Sequence, residues 1–275
     1  MRLLVVLLST LVTCAVTLCR QAMTHPNSLL PTWARHPWIA HRGAGKLAPE
    51  NTLAAFELGA QHGYRMFECD VKLSADGVPF LLHDATLDRT TNGHGPASAL
   101  TWDELARLDA GSWHSPAFAG TPLLRLDTLA RWCLDHHMTL NIELKPSPGD
   151  DERTGTVVAE WVQRLWAGHP PPLFTSFNPA SLAAAQSAAP DIPRGLLLTE
   201  WASDAMLTAK KLLSRSVVGH YSLWNLQTVA EVHAAGMQVM AYTVNEHLEA
   251  ERLRSLGVRH LITDRVDLFH PTLAE

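Results

Sequence analysis

Residues 139–198 read TLNIELKPSPGDDERTGTVVAEWVQRLWAGHPPPLFTSFNPASLAAAQSAAPDIPRGLLL, and the order of patterns in this stretch decides the fold. Thr139 to Leu144 is a short apolar run, followed by a helical run from Thr154 to Trp166. Pro172 to Thr175 is again strand-like, Pro179 to Ala188 helical, and Arg194 to Leu198 strand-like. Short apolar runs alternating with helices of about 10–15 residues indicate parallel strands joined by helical crossovers. The rhythm extends both ways. A helix is predicted upstream over Thr128 to His136. Downstream come helix Ser203 to Leu213, strand Val217-Val218, helix Leu226 to Ala235, strand Gln238 to Val244, helix Glu246 to Leu256 and strand His260 to Thr263. With the N-terminal candidates there are nine strands. A (β/α)8 barrel uses eight, so one belongs to a hairpin or an edge. The count alone also fits a doubly wound sheet.

The chemistry-bearing stretch lies earlier, from Pro37 to Asp84. Trp38-Ile39-Ala40 is apolar and stops at His41-Arg42-Gly43. Asn51 reads as a helix N-cap, with Leu53, Phe56 and Ala60 at helical spacing and Gly63 as the stop. Phe67 to Val71 alternates, so Glu68 and Asp70 share one face of a strand, while Cys69 points to the other. Asp76-Gly77 between two strand-like runs is a hairpin signal. A two-residue loop there places His83 opposite Asp70, and one face then carries two carboxylates and an imidazole. Strand ends and the loops that follow them are where α/β enzymes keep their chemistry.

The 275 residues, 47% hydrophobic, suffice for one full core. The domain is expected over 36–275, with an excursion at about 85–122 and an irregular lead-in over 23–35. The excursion holds a short helix candidate, Thr101 to Leu108, with a Thr-x-x-Glu capping box. It reads either as a lid or as a fixed cover over the barrel mouth. A net charge of −5 excludes nucleic acid and anionic membrane surfaces as general partners. Of the fifteen histidines, His62, His169, His233 and His260 are scattered singly and read as surface residues. Cys69 and Cys133 read as reduced core thiols, without a disulfide framework or zinc spacing.

Leu3 to Leu18 forms an apolar leader over residues 1–22, short for a membrane span and closer to a signal-peptide core. Its exit, Cys19-Arg20-Gln21-Ala22, is a poor cleavage site, and Met23 opens a polar stretch. The expectation divides between export or anchoring through the leader and a start at Met23, which would make the protein cytoplasmic. The sequence carries no signal for oligomeric state.

Glu143 and Lys145 lie on the strand-like run beginning at Thr139. If Glu68, Asp70 and Glu143 converge, they repel one another and their pKa values rise. A divalent cation removes that repulsion, and all-oxygen ligands select a hard ion. The competing reading pairs each carboxylate with Arg42, Lys145 or Lys72. Arg42 can clamp a phosphate bidentately and Lys145 adds a point charge on the same side. His41 and His83, each ending a strand, offer a base and an acid if both face that phosphate.

His41-Arg42-Gly43, Pro49-Glu50-Asn51-Thr52, the Glu68/Asp70 pair and His83-Asp84 together resemble the signature of the glycerophosphodiester phosphodiesterase family. Ile142-Glu143-Leu144-Lys145-Pro146, Thr175-Ser176-Phe177 and Tyr242-Thr243-Val244-Asn245 extend the match to about residues 36–268, closest to the short cytosolic bacterial members. The resemblance implies an α/β fold of the TIM-type (β/α)8 class with a hairpin after the second strand. It implies hydrolysis of glycerophosphodiesters to sn-glycerol 3-phosphate and an alcohol. It also implies one divalent cation on Glu68, Asp70 and Glu143, Mg²⁺ ahead of Ca²⁺, and an acid–base pair on His41 and His83. Tyr242 stands where many relatives carry Trp, and with Phe177 still offers an apolar wall for glycerol carbons. Thr121-Pro122-Leu123-Leu124-Arg125 replaces a Gly-Glu-x-Ile/Leu-Pro pattern, losing a peripheral acid. The rival readings are a lysophospholipid- or phosphoinositide-cleaving enzyme on the same barrel, and a non-catalytic phosphodiester-binding protein.

Overall fold

The computed structural model describes residues 32–271, so the leader, Met23 and the lead-in before Thr32 lie outside the described residues. The rest of the expected irregular lead-in is ordered: Thr32–Arg35 forms a 3₁₀ turn. The strands are β1 (Trp38–Ala40), β2 (Met66–Leu73), β3 (Pro79–Leu81), β4 (Thr139–Leu144), β5 (Leu173–Ser176), β6 (Arg194–Leu198), β7 (Ser216–His220), β8 (Gln238–Tyr242) and β9 (His260–Thr263). Every neighbouring pair is parallel except β2–β3, and β1 bonds both β9 and β2. Eight strands therefore close into a barrel, and the ninth, β3, is the antiparallel hairpin strand. The helices are α1 (Leu53–Gln61), α2 (Trp102–Leu105), α3 (Leu126–Asp135), α4 (Asp151–Leu165), α5 (Pro179–Ala188), α6 (Ala205–Lys211), α7 (Leu226–Ala234) and α8 (His247–Ser255). This is the TIM-type barrel that the resemblance implies and the alternation allows, and the doubly wound alternative is set aside.

Strand alternation divides the core in two. Outward residues such as Cys69, Val71 and Ile142 pack with Phe56, Leu129 and Cys133 of the helices. Cys69 and Cys133 are buried free thiols, as expected. Inward residues Ile39, Met66, Leu173, Leu197, Val218, Met240 and Ile262 fill the barrel, joined by Trp33 and Ala34 of the 3₁₀ turn. Toward the strand C-termini the inward positions change character, to Glu68 and Asp70 on β2 and Glu143 on β4.

Three local expectations are corrected. The hairpin pairs Val71 with Leu81, Lys72 with Phe80 and Leu73 with Pro79, so its loop has one residue more than predicted. Gly77, at φ +79°, takes the left-handed position such a loop requires. Leu82 then lies against Asp70, its N–H reaching the Asp70 carbonyl at 3.1 Å, and His83 follows after the ladder has ended. Asn51 is not the cap of α1: Thr52 is, its hydroxyl accepting from Ala55 N–H at 3.4 Å. His260 is not on the surface but 2% exposed, bonded through Nδ1 to the His36 carbonyl at 2.9 Å. Burial pushes its pKa down to about 4.

The excursion has its own small core of Leu87, Ala97, Leu105 and Ala110, packed with Phe80, Leu82 and Leu123. The predicted helix is shorter than its pattern, but Glu104 does accept from the Thr101 N–H at 2.8 Å.

Gly59 shows how closely α1 sits on the loop after β1. A Cβ there would fall 2.3 Å from the Gly43 carbonyl oxygen and 2.8 Å from the Phe67 ring. Gly59→Ala would favour the helix by about 1 kcal/mol from propensity alone, but the backbone contact can be relieved only by lifting α1. The expected result is a lower thermal midpoint. A midpoint equal to or above the parent would show that the contact yields cheaply.

Candidate active site

A cavity of about 160 Å³ opens at the C-terminal ends of the strands, lined by His41, Arg42, Glu68, His83, Glu143, Lys145, Phe177 and Tyr242, among others. Asp70 lies just beneath, 1% exposed. All nine residues singled out from sequence therefore gather at one place.

The loop after β1 is built by unusual backbone. Arg42 and Gly43 both have positive φ, +51° and +101°, turning the chain so that the Arg42 N–H meets Glu68 Oε2 at 3.0 Å. Gly45 sits so close to Asp264 that an added Cβ would lie 2.2 Å from its carbonyl oxygen. His41 Nδ1 is 2.6 Å from Asp264 Oδ1, while its Nε2 stands 3.8 Å from Glu68 Oε2. Burial works to raise the Asp264 carboxyl, but the His41 hydrogen bond and charge hold it at about 2. Asn245 fixes the other Asp264 oxygen, donating at 3.1 Å.

His83 has a matching partner, with Nδ1 2.7 Å from Asp84 Oδ1. Burial lowers the His83 pKa against the pull of Asp70. Each histidine thus has a carboxylate on Nδ1, which fixes the ring and leaves Nε2 as its remaining nitrogen.

Glu68, Asp70 and Glu143 are all buried, and one carboxylate oxygen from each lies within 4.8 Å of the others. Asp70 takes most of the positive charge, with Arg42 Nε at 3.2 Å and Lys145 Nζ at 3.4 Å, and accepts a hydrogen bond from the neutral Asn51 amide at 2.9 Å. Burial would raise its pKa, but Arg42 and Lys145 hold it below the usual carboxylate range. Glu143 keeps Lys145 at 2.8 Å, yet burial and then Asp70 push it up to about 7. Glu68 is raised well above its ordinary value by burial, Asp70 and Glu143, and its Oε1 is buried with no hydrogen-bond partner. The pairing alternative therefore accounts for Asp70 and in part for Glu143. Among the described residues it leaves Glu68 out, and an all-oxygen trio with an acceptor orphaned among those residues fits a hard divalent cation. Among the described residues, Lys72 forms no ion pair with a carboxylate. Its Nζ donates to the Lys145 carbonyl at 3.1 Å, and burial lowers its pKa to about 8.

Arg42 is itself held, with Nη1 on Glu50 Oε1 at 2.9 Å. Lys145 lies over the Phe177 ring, 5.6 Å from its centroid, and Phe177 meets Tyr242 edge-on at 5.8 Å. Sequence reasoning gave no site role to Asn51, which exchanges two hydrogen bonds with Asp70, nor to the supporting carboxylates Glu50 and Asp84, although all three lie in the motifs that carry the resemblance; it missed Asp264 altogether. Asp264 directly follows β9 and was legible by the strand-end rule that found His41. Nothing in the local pattern pointed to Asn51, whose φ of +59° is a property of the folded loop.

Comparison with known proteins agrees with this geometry. Residues 41–268 match the glycerophosphoryl diester phosphodiesterase family. A glycerophosphodiester phosphodiesterase of Caldanaerobacter subterraneus is 32% identical over 82% of this chain and 93% of its own length. One from Bacillus subtilis is 31% identical over 84% of each chain. Among solved structures, an Oleispira antarctica phosphodiesterase in complex with the product sn-glycerol-3-phosphate superposes with a TM-score of 0.79. It is 36% identical, and the match covers 82% of this chain and 92% of that one.

The carboxylate trio predicts an unusual stability profile. Without a cation, the Glu143 carboxyl rises from 4.5 to about 7 on folding. Below its unfolded value both states hold the proton and the group is neutral to stability. As pH rises toward 7 the folded state binds a proton that the unfolded state has lost, and above 7 the fold carries the full cost of the charge. In excess chelator, Glu143→Gln should therefore melt at a higher temperature than the parent at pH 8, with the difference shrinking toward pH 5. A variant less stable than the parent at pH 8 would show that the Lys145 contact outweighs the repulsion.

Proposed function

We propose, on the premise that this chain belongs to the glycerophosphodiester phosphodiesterase family and is a phosphoric diester hydrolase, that it splits glycerophosphodiesters into sn-glycerol 3-phosphate and an alcohol with two histidines and one divalent cation. The observation that carries this reading is the pair of carboxylate-backed histidines beside a buried acidic trio and two cations in one cavity. The product bound by the Oleispira relative supports the glycerol 3-phosphate half of the reaction.

Glu68, Asp70 and Glu143 would hold the cation, which when bound supplies positive charge to the phosphate oxygens. Three carboxylates leave places for water and the substrate's phosphate, which suits Mg²⁺, an ion that keeps several waters and binds through few carboxylates. Arg42 and Lys145 add fixed charge where negative charge builds up in phosphoryl transfer. Phe177 and Tyr242 offer an apolar wall to the glycerol carbons. His41, anchored by Asp264, and His83, anchored by Asp84, move the two protons the reaction requires. One takes the proton of the attacking hydroxyl, and the other gives a proton to the departing alkoxide. A lysophospholipid substrate would need an apolar channel, whereas the excursion turns Leu87, Leu105 and Ala110 into its own core. Small water-soluble diesters fit better.

Two experiments test this. Exhaustive chelation should abolish glycerol 3-phosphate release from glycerophosphocholine, and Mg²⁺ should restore it; turnover that survives chelation would remove the cation from the mechanism. His41→Ala and His83→Ala should each lose about 10²–10⁴-fold in turnover. On a nitrophenyl phosphodiester, whose leaving group departs without a proton, the variant lacking the acid should recover much of its rate and the variant lacking the base should not. Equal recovery of both would assign the histidines to phosphate binding instead.

A further inference from the structure

Arg89 lies in the excursion, outside the residues given any role above, yet it is tied to both halves of the site. Its guanidinium donates to Glu50 twice, Nη1 to Oε2 and Nη2 to Oε1, each at 2.8 Å. It also donates to Asp84 twice, Nε to Oδ2 at 2.7 Å and Nη2 to Oδ1 at 3.0 Å. Glu50 is the carboxylate that holds Arg42, and Asp84 is the one that holds His83. The side chain is launched from a rigid turn, in which the Thr91 N–H and hydroxyl both close on the Leu87 carbonyl, at 3.1 and 2.7 Å. Leu87 is fully buried in the excursion's core and Thr90 is 3% exposed.

We propose that Arg89 is a positioning residue, which sets His83 through Asp84 and Arg42 through Glu50 and so locks the proton-transfer and phosphate-binding groups into one geometry. The inference rests on the proposed reaction. A guanidinium can serve two carboxylates at once because its donors diverge in a plane, whereas a lysine offers three donors from a single point. Without Arg89, Asp84 keeps only His83 and Glu50 only Arg42, and each pair can turn away from the phosphate together. A stability role of comparable size is not expected, because the Arg89 side chain is 44% exposed and exposed ion pairs contribute little to folding.

The test compares Arg89→Lys, Asp84→Asn and Glu50→Gln with the parent in the full chain with Mg²⁺, on glycerophosphocholine and on the nitrophenyl diester. Misplacement of a reacting group costs up to about 100-fold in rate, so Arg89→Lys should lose about 10–100-fold in kcat through the Asp84 arm and raise KM through the Glu50 arm. Its loss on the two substrates should follow the leaving-group pattern of His83→Ala, not that of His41→Ala. Adding Arg89→Lys to Asp84→Asn should cost little more in kcat, because both break the same contact. Millimolar guanidinium should restore part of the activity of Arg89→Ala, which a purely structural role would not allow. Near-parental kinetics for Arg89→Lys, a full multiplicative loss in the double variant, or a loss that parallels a fallen thermal midpoint would each overturn the proposal. If the parent itself releases no glycerol 3-phosphate, the proposed reaction fails first and this inference with it, an outcome distinct from the other three.

Discussion

Strand register at the closed seam of the barrel is the constraint on which the site depends. β1 pairs with β9 so that Ala40 lies beside Thr263, and the next residue on each strand is His41 or Asp264. Two residues 223 positions apart thereby become a hydrogen-bonded pair without a dedicated loop to join them. The same logic places Glu68 beside Asn141 and Asp70 beside Glu143 in the β2–β4 register. A slip of one residue in either pair would send these side chains to the helix-facing side, among Phe56 and Leu129, where no charge could be met. The apolar layers of Ile39, Met66 and Ile262 inside the barrel hold that register, since they too would have to turn outward. The geometry of the candidate site and the packing of the core are thus set by one choice of alignment.

The same dependence explains what the sequence alone could tell. Strands such as Thr139–Leu144 and His260–Thr263 were legible to the residue, because their apolar runs are bounded by polar turns. The alternation around Cys69 was enough to separate Glu68 and Asp70 from the core face. What escaped was anything decided by backbone conformation or by distant chain. The hairpin loop is a residue longer than the Asp-Gly signal suggests, so His83 reaches the cavity from beyond the ladder and not from a position opposite Asp70. Asn51 looks like a cap because asparagine is common there, but its left-handed backbone hands that role to Thr52 and turns its amide onto Asp70. His260 looked like surface, yet it is buried with its Nδ1 on the carbonyl of His36, just before β1. Arg89 carried no local signal, since its value lies in two carboxylates that only the folded excursion brings within reach.

Charge balance ties the supporting groups to the chemistry. Glu68, Asp70 and Glu143 bring three negative charges into a buried space that Arg42 and Lys145 offset with two. Burial drives the Glu68 and Glu143 carboxyls upward, and this uncompensated negative charge adds to it. A dication on the proposed ligands would reverse the sign, leaving the cavity with one net positive charge, which a singly charged phosphodiester neutralises. The balance holds only while Arg42 counts toward the cavity and is not withdrawn by Glu50. Arg89 bears on this as well: it shares Glu50 from the outer side, and Arg42, held by the same carboxylate, also lies 3.2 Å from Asp70. The two outer acids share this one arginine, while Glu50 also holds Arg42 and Asp84 holds His83.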